Sequence, residues 1–190
     1  MAQIRSLALP DVLELRPARH QDHRGFFSEV WKASALAEHG ITKPFVQDNH
    51  SFSVEAGVLR GLHYQEPPFA QAKLVRVTAG TIYDVAVDIR HGSPTFGHWV
   101  GLKLSADEWN QIFVPSGFAH GFVTLVPNCE VIYKVSAPYS AQHDRGIRFD
   151  DPQIGIEWPL EGLDLVLSNK DRSAPMLADA APAFRYEPVA

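Results

Sequence analysis

The chain has 190 residues, 45% of them hydrophobic and 21% charged, with a formal net charge of −5. That length and apolar content suit a single packed domain spanning residues 1–190. The acidic balance argues against nucleic acid or a membrane surface as the main partner, while leaving room for a local basic pocket that takes an anionic ligand.

The opening residues MAQIRSLALPDVLEL carry no basic segment followed by a long apolar run. No apolar run approaches the ~18 residues of a membrane span, so a soluble cytoplasmic protein is expected. Next in chain order, KASALAEHG (32–40) predicts a helix closed by Gly40 at the C′ position. In KLVRVTAGTIYDVAVDIR (73–90), Leu74, Arg76 and Thr78 alternate with Val75 and Val77. Beyond Ala79-Gly80, Tyr83, Val85, Val87 and Ile89 alternate with Asp84, Ala86 and Asp88. Period two on both sides of a short turn reads as an antiparallel hairpin. HWVGLKLS, NQIFVPS, AHGFVTLV and CEVIYKVS continue as strands, with turns at HGSPTFG, SADEW, PSG and PNC. The single cysteine, Cys129, lies in an apolar stretch and cannot form an intramolecular disulfide, so a buried, unreactive thiol is expected. From about Asp151 the chain is proline-punctuated and predicts a wrap around the β core with short helical turns.

Pro115-Ser116-Gly117-Phe118-Ala119-His120 resembles the second motif of cupin β-barrels, Pro-x-Gly-x-x-His. The first cupin motif is present in outline, with His63, but Gln65 stands where a second histidine would be and Lys73 where a glutamate would be. An amide is a poor ligand for a transition metal, and an ammonium repels a dication. The same groups suit an anionic intermediate: a neutral imidazole takes a proton, and an ammonium stabilises the charge that follows.

Eight stretches carry a wider resemblance: DHRGFFSEVW, FVQDNHSFS, VLRGLHYQ, QAKLVRVTAGTIYDVAVDIRHGSPTFGHWVGLKLS, FVPSGFAHGFVTL, YKVSAPYS, IGIEWP and SNKD. In order and spacing they resemble the dTDP-4-dehydrorhamnose 3,5-epimerase family over nearly the whole chain. The resemblance implies a mainly β fold: a cupin-like antiparallel β-barrel of jelly-roll type, with an N-terminal extension and a C-terminal wrap. It further implies a homodimer that uses no metal and no cofactor. The implied reaction inverts C3 and C5 of dTDP-4-dehydro-6-deoxy-D-glucose, giving dTDP-4-dehydro-L-rhamnose on the way to dTDP-L-rhamnose.

By the same resemblance His63 is the base, Asp171 its orienting carboxylate, Tyr133 the acid on the opposite face, and Lys73 the enolate stabiliser. Arg24 and Arg60 match phosphate and nucleotide contacts, where a guanidinium fork pairs two oxygens at once. Glu29, Gln47, Asp48 and Asn49 match positions lining the nucleotide site, and Tyr139 the aromatic that stacks on thymine. His120, Asp144 and Lys170 match further substrate contacts; Asp144 stands where the family often has the longer Glu. His20 stands where the family commonly has an aromatic residue donated by the neighbouring subunit. The alternatives are a relative that inverts only C3 or only C5, a metal-dependent cupin, and a non-enzymatic nucleotide-sugar binder.

Overall fold

The computed structural model describes residues 3–187. Four short strands come first: β1 (Gln3–Ser6), β2 (Leu13–Arg16), β3 (His20–Asp22) and β4 (Gly25–Phe27). Helix α1 (Ala33–Ala37) leads into β5 (Gln47–Ser53), β6 (Val58–Gln65), β7 (Lys73–Ala79), β8 (Thr81–Asp88) and β9 (Arg90–His91). Then follow β10 (Trp99–Ser105), β11 (Gln111–Val114), β12 (Phe118–Thr124), β13 (Cys129–Val135) and β14 (Asp144–Gly146). The C-terminal segment carries β15 (Val166–Leu167), α2 (Asn169–Arg172), a 3-10 turn at Leu177–Asp179 and β16 (Phe184–Arg185).

Two antiparallel sheets form the body. One runs β1-β2-β11-β7-β13-β5, the other β10-β8-β12-β6-β14, with β15 added in parallel to β6. Between them Val75, Val77, Ile112, Val114 and Val131 from the first sheet meet Ile82, Ala86, Leu104, Phe118 and Phe122 from the second. Each of these side chains other than Ala86 stabilises the fold by about 1.5–3 kcal/mol when fully buried. The outer faces are covered as well. Leu36 of α1, with Ile41 and Phe45, closes over Leu13, Leu15, Leu74 and Phe113. On the other side Ile154, Ile156, Trp158, Leu177 and Phe184 pack on Leu62, Tyr64, Val85 and Val87. The C-terminal wrap is therefore a second layer of core, which explains why every residue of β12 is buried.

The expected hairpin at 73–90 does not form. β7 pairs with β11 and β13, whereas β8 pairs with β10 and β12. Gly80, at φ +80°, carries the chain across from one sheet to the other, and a Cβ there would lie 2.5 Å from the Cys129 Sγ. Alternation has the same period in a hairpin and in an arch between two sheets, and burial of both faces favours the arch. The expected helix at 32–40 is also shorter. It ends at Ala37 with Glu38 as C-cap, so Gly40, at φ +77°, stands one position beyond C′. Lys32 supplies no side-chain cap at its start. Cys129 is buried as expected; burial raises its thiol pKa, and Sγ donates to the carbonyls of Thr81 and Val126. Among the described residues no helix is long and apolar enough to cross a membrane.

Candidate active site

The chemistry-bearing side chains converge where β6, β7, β12 and β13 face one another across the barrel. On β6 and β12 the register places His63 opposite His120, but Arg60 opposite Phe122, so β6 carries an extra residue. Such a bulge bends a strand and re-aims the side chains after it. Glycine is required here. Gly61 sits at φ +126°, and a Cβ on it would lie 2.5 Å from the Gly121 Cα.

His63 Nε2 lies 2.5 Å from Asp171 Oδ1, although 108 positions separate them in sequence. Asp171 sits on α2, whose N-cap Ser168 accepts the Asp171 backbone N–H through its side chain at 3.1 Å. Burial pushes the Asp171 carboxyl up, but the His63 hydrogen bond and charge, with Ser168 and the Gly61 amide, outweigh it and hold the pKa below its ordinary value. Asp171 is therefore an anion accepting the Nε2 proton, and the His63 Nδ1 lone pair is left to take another. The His63 side chain is 31% exposed against 5% for Asp171, so the imidazole is reachable and its partner is not.

Lys73, buried beside this pair, donates to the His63 backbone oxygen at 3.2 Å and approaches His120 Nδ1 at 3.5 Å. Burial lowers its pKa to about 8; Asp84 and Asp144 pull it up, and Lys170 pushes it down. His120 Nε2 stands 2.9 Å from both oxygens of Asp84, which has no exposed surface. Tyr133 projects from β13 in the opposite sheet, in contact with the inter-sheet core. Burial raises its hydroxyl pKa, an effect that Arg60 reduces and Asp144 reinforces.

A model for dTDP-4-dehydrorhamnose 3,5-epimerases matches residues 6–179. A dTDP-4-dehydrorhamnose 3,5-epimerase from Sinorhizobium fredii is 50% identical over 184 residues, covering 97% of this chain and 94% of that protein. The chain belongs to the dTDP-4-dehydrorhamnose 3,5-epimerase family. The crystal structure of a dTDP-6-deoxy-D-glucose-3,5-epimerase from Legionella pneumophila in complex with dTDP-4-keto-L-rhamnose superposes with a TM-score of 0.94. It is 43% identical and covers 99% of this chain and 100% of that one. A 3'-monoepimerase from Streptomyces bikiniensis in complex with dTDP-quinovose is more distant, at 32% identity and a TM-score of 0.85. That match covers 92% of this chain and 87% of that one. The chain is thus an epimerase of the isomerase class on the cupin-like barrel that its sequence predicts.

Within this family member, five of the candidate residues form one hydrogen-bonded rim. Gln47 Nε2 donates to Asn49 Oδ1 at 2.8 Å, and the Tyr139 amide donates to Gln47 Oε1 at 3.0 Å. The Tyr139 hydroxyl donates to Asp144 Oδ2 at 3.2 Å, and Lys170 pairs with the same oxygen. Tyr139 is 59% exposed. Arg60 reaches the Phe52 carbonyl and Ser53 Oγ at 3.3 Å each.

Three candidates are not gathered there. Asp48 alternates to the outer face of β5 and pairs with Lys134 at 2.8 Å, because neighbours on a strand point to opposite sides. Arg24 is 78% exposed and paired with Asp22; Glu29 is 61% exposed and 3.7 Å from Lys32. Both belong to the N-terminal extension, where every residue of the β3–β4 hairpin from His20 to Phe27 is exposed.

Gln65 is tied into the backbone around it, with both amide protons committed. Its amide donates to the Phe69 and Pro138 carbonyls at 2.8 and 3.1 Å and accepts from the Ser140 amide at 2.7 Å. Asp84 was missed by sequence reasoning. In the alternation of β8 it shares a face with Ala86 and Asp88, and only the packing turns that face inward. A cavity of about 320 Å³ bordered by Tyr64, Asp144, Lys170 and Asp171 adjoins the site. A larger one of about 540 Å³, bordered by Asp11, His39, Lys43 and Arg90, contains none of the candidate residues. Chemistry rather than volume locates the site.

Proposed function

We propose that this chain inverts C3 and C5 of dTDP-4-dehydro-6-deoxy-D-glucose to yield dTDP-4-dehydro-L-rhamnose for dTDP-L-rhamnose synthesis. The observation that carries the reading is the buried Asp171 carboxylate held on His63 beside the Lys73 ammonium. A hydrogen α to a ketone is a weak acid, and removing it places charge on the C4 oxygen. His63 Nδ1 takes the proton, and Asp171 supports the imidazolium that forms. Lys73 stabilises the oxyanion in a site with little water to screen it. Tyr133 returns a proton from the opposite face. A base on one sheet and a hydroxyl on the other supply the two faces that inversion needs. The rim of Gln47, Asn49, Tyr139, Asp144 and Lys170, with Arg60, takes the nucleotide diphosphate and base.

Residues 1–190 act as one domain in this reading, within a homodimer. The exposed hairpin and the residues after it reach the neighbouring subunit's site, bringing Arg24, Glu29 and His20 to it, which accounts for their absence from the rim of their own chain. The greater likeness to 3,5-epimerases than to the 3'-monoepimerase favours double inversion.

The test is turnover of dTDP-4-dehydro-6-deoxyglucose in deuterium oxide, coupled to a reductase that accepts only the doubly inverted sugar. Label at both C3 and C5 of the reduced product is expected. Label at a single carbon, with no coupled turnover, would replace this reading with that of a monoepimerase.

A further inference from the structure

Asp84 lies at the far end of a buried line, Asp84–His120–Lys73, drawn from three adjoining strands: β8, β12 and β7. Its two oxygens are equidistant from His120 Nε2, at 2.9 Å, and carboxylate oxygens only accept. His120 Nε2 therefore carries a proton. Burial, opposed by Asp84 and aided by the Lys73 and His63 charges, lowers the His120 pKa and keeps the ring neutral. A neutral ring protonated at Nε2 has a lone pair at Nδ1, aimed at Lys73 Nζ, 3.5 Å away. Of the three ammonium protons of Lys73, one goes to the His63 carbonyl and one to His120. The third is available to a substrate oxygen.

We propose that Asp84 is the positioning residue for the Lys73 ammonium: through His120 it fixes the accepting tautomer that orients Lys73, and through its charge it keeps Lys73 protonated at neutral pH. The groups facing Lys73 are His63 on β6, Asp84 on β8, His120 on β12, Asp144 on β14 and Lys170 on α2. Asp84 leads those that raise its pKa. Asp144 shares its charge with Lys170 at the rim and cannot fill the same role. The burial that strengthens an ammonium's action on an enolate also works to deprotonate it, and Asp84 offsets this without touching the substrate.

The inference rests on Lys73 acting on an enolate, and the two fail separately. If Lys73→Met exchanges substrate deuterium at the wild-type rate, the enolate role falls and this inference with it. If Lys73→Met is inactive, the pH profile of Asp84→Asn decides. Wild-type kcat is expected to fall on an alkaline limb near the Lys73 pKa of about 8, below that of Tyr133, which burial has raised. In Asp84→Asn that limb moves to lower pH by about one unit. At pH 7.5 kcat drops about threefold as the protonated fraction of Lys73 falls, while KM and the Kd for dTDP stay within a factor of two, roughly. An unmoved limb, or equal losses in kcat and dTDP affinity, would overturn the positioning role. If the variant fails to fold, the ¹⁵N shifts of the His120 ring in the wild-type protein still decide. An Nε2–H, Nδ1-unprotonated ring from pH 6 to 8 supports the proposal, and an Nδ1–H or doubly protonated ring overturns it.

Discussion

Inversion demands two groups on opposite sides of one carbon, and in the proposed mechanism they come from different sheets. His63 stands on β6 with Nε2 against Asp171, while Tyr133 stands on β13. Removal precedes donation, so the two roles separate experimentally. Tyr133→Phe removes one hydroxyl and keeps the ring against the inter-sheet core. It is expected to hold wash-in of solvent deuterium at the first carbon within about tenfold of wild type while lowering formation of inverted product by on the order of 10²–10⁴-fold. Quenched-flow measurement of exchange and product in the same sample checks this. Equal and negligible loss of both would contradict the donor role. The candidates for this chemistry came from the sequence: the family resemblance named His63, Tyr133 and Asp171, and the structure brings His63 and Asp171 within 2.5 Å of each other. Asp84 was not legible, because a carboxylate on an alternating strand looks the same whether its face meets water or the core.

Elements here are held by buried carboxylates as much as by apolar packing. Asp88 ends β8 with no exposed surface and accepts from the Arg90 backbone and guanidinium, Ser93 Oγ and Thr95 Oγ1. It thereby organises the turn from Arg90 to Gly97 that leads into β10. Burial raises its pKa, but the Arg90, Ser93 and Thr95 hydrogen bonds outweigh it and hold the value below the ordinary 3.8. A carboxyl lowered on folding adds stability above its unfolded pKa and loses it as pH falls through the folded value. Asp88→Asn is expected to cost about 3 kcal/mol at pH 7. In urea unfolding the difference from wild type shrinks below pH 3.8; a pH-independent difference would contradict the account. Strand positions were largely legible from alternation and turn residues, including β10 to β13. Strand partners were not: the run across Gly80 looked like a hairpin and is an arch between sheets. Helix α1 came out shorter than its sequence suggested, since five residues without an N-terminal side-chain cap rely on the packing of Leu36.

For the molecule as a whole, a single chain leaves apolar surface uncovered. Phe52 of β5, which ends its sheet, is 52% exposed, the flanking Val46 and Val54 are 56% and 63% exposed, and Phe27 on the N-terminal hairpin is 72% exposed. Edge strands with apolar side chains are commonly covered by another chain. A homodimer through this edge is expected by sedimentation at micromolar concentration. Phe52→Glu is expected to shift it toward monomer and, with Arg24 acting in the neighbouring site as proposed, to raise KM for the nucleotide sugar. A wild-type monomer with full activity would refute the cross-subunit role.

The sequence by itself determined the β-rich class and the family, and it supplied the candidates for base, acid and enolate partner. Those depend on residue types at set spacings along the chain, and period-two alternation and motif order survive without coordinates. Only the tertiary structure decided which strands pair, which face of β8 turns inward and how Asp171 meets His63 across 108 positions. It also decided that Asp48 turns away to Lys134 while Gln47 and Asn49 join the hydrogen-bonded rim. Each of these is a contact between distant segments, set by which arrangement buries both faces of two sheets at once, and alternation along a single strand cannot specify it.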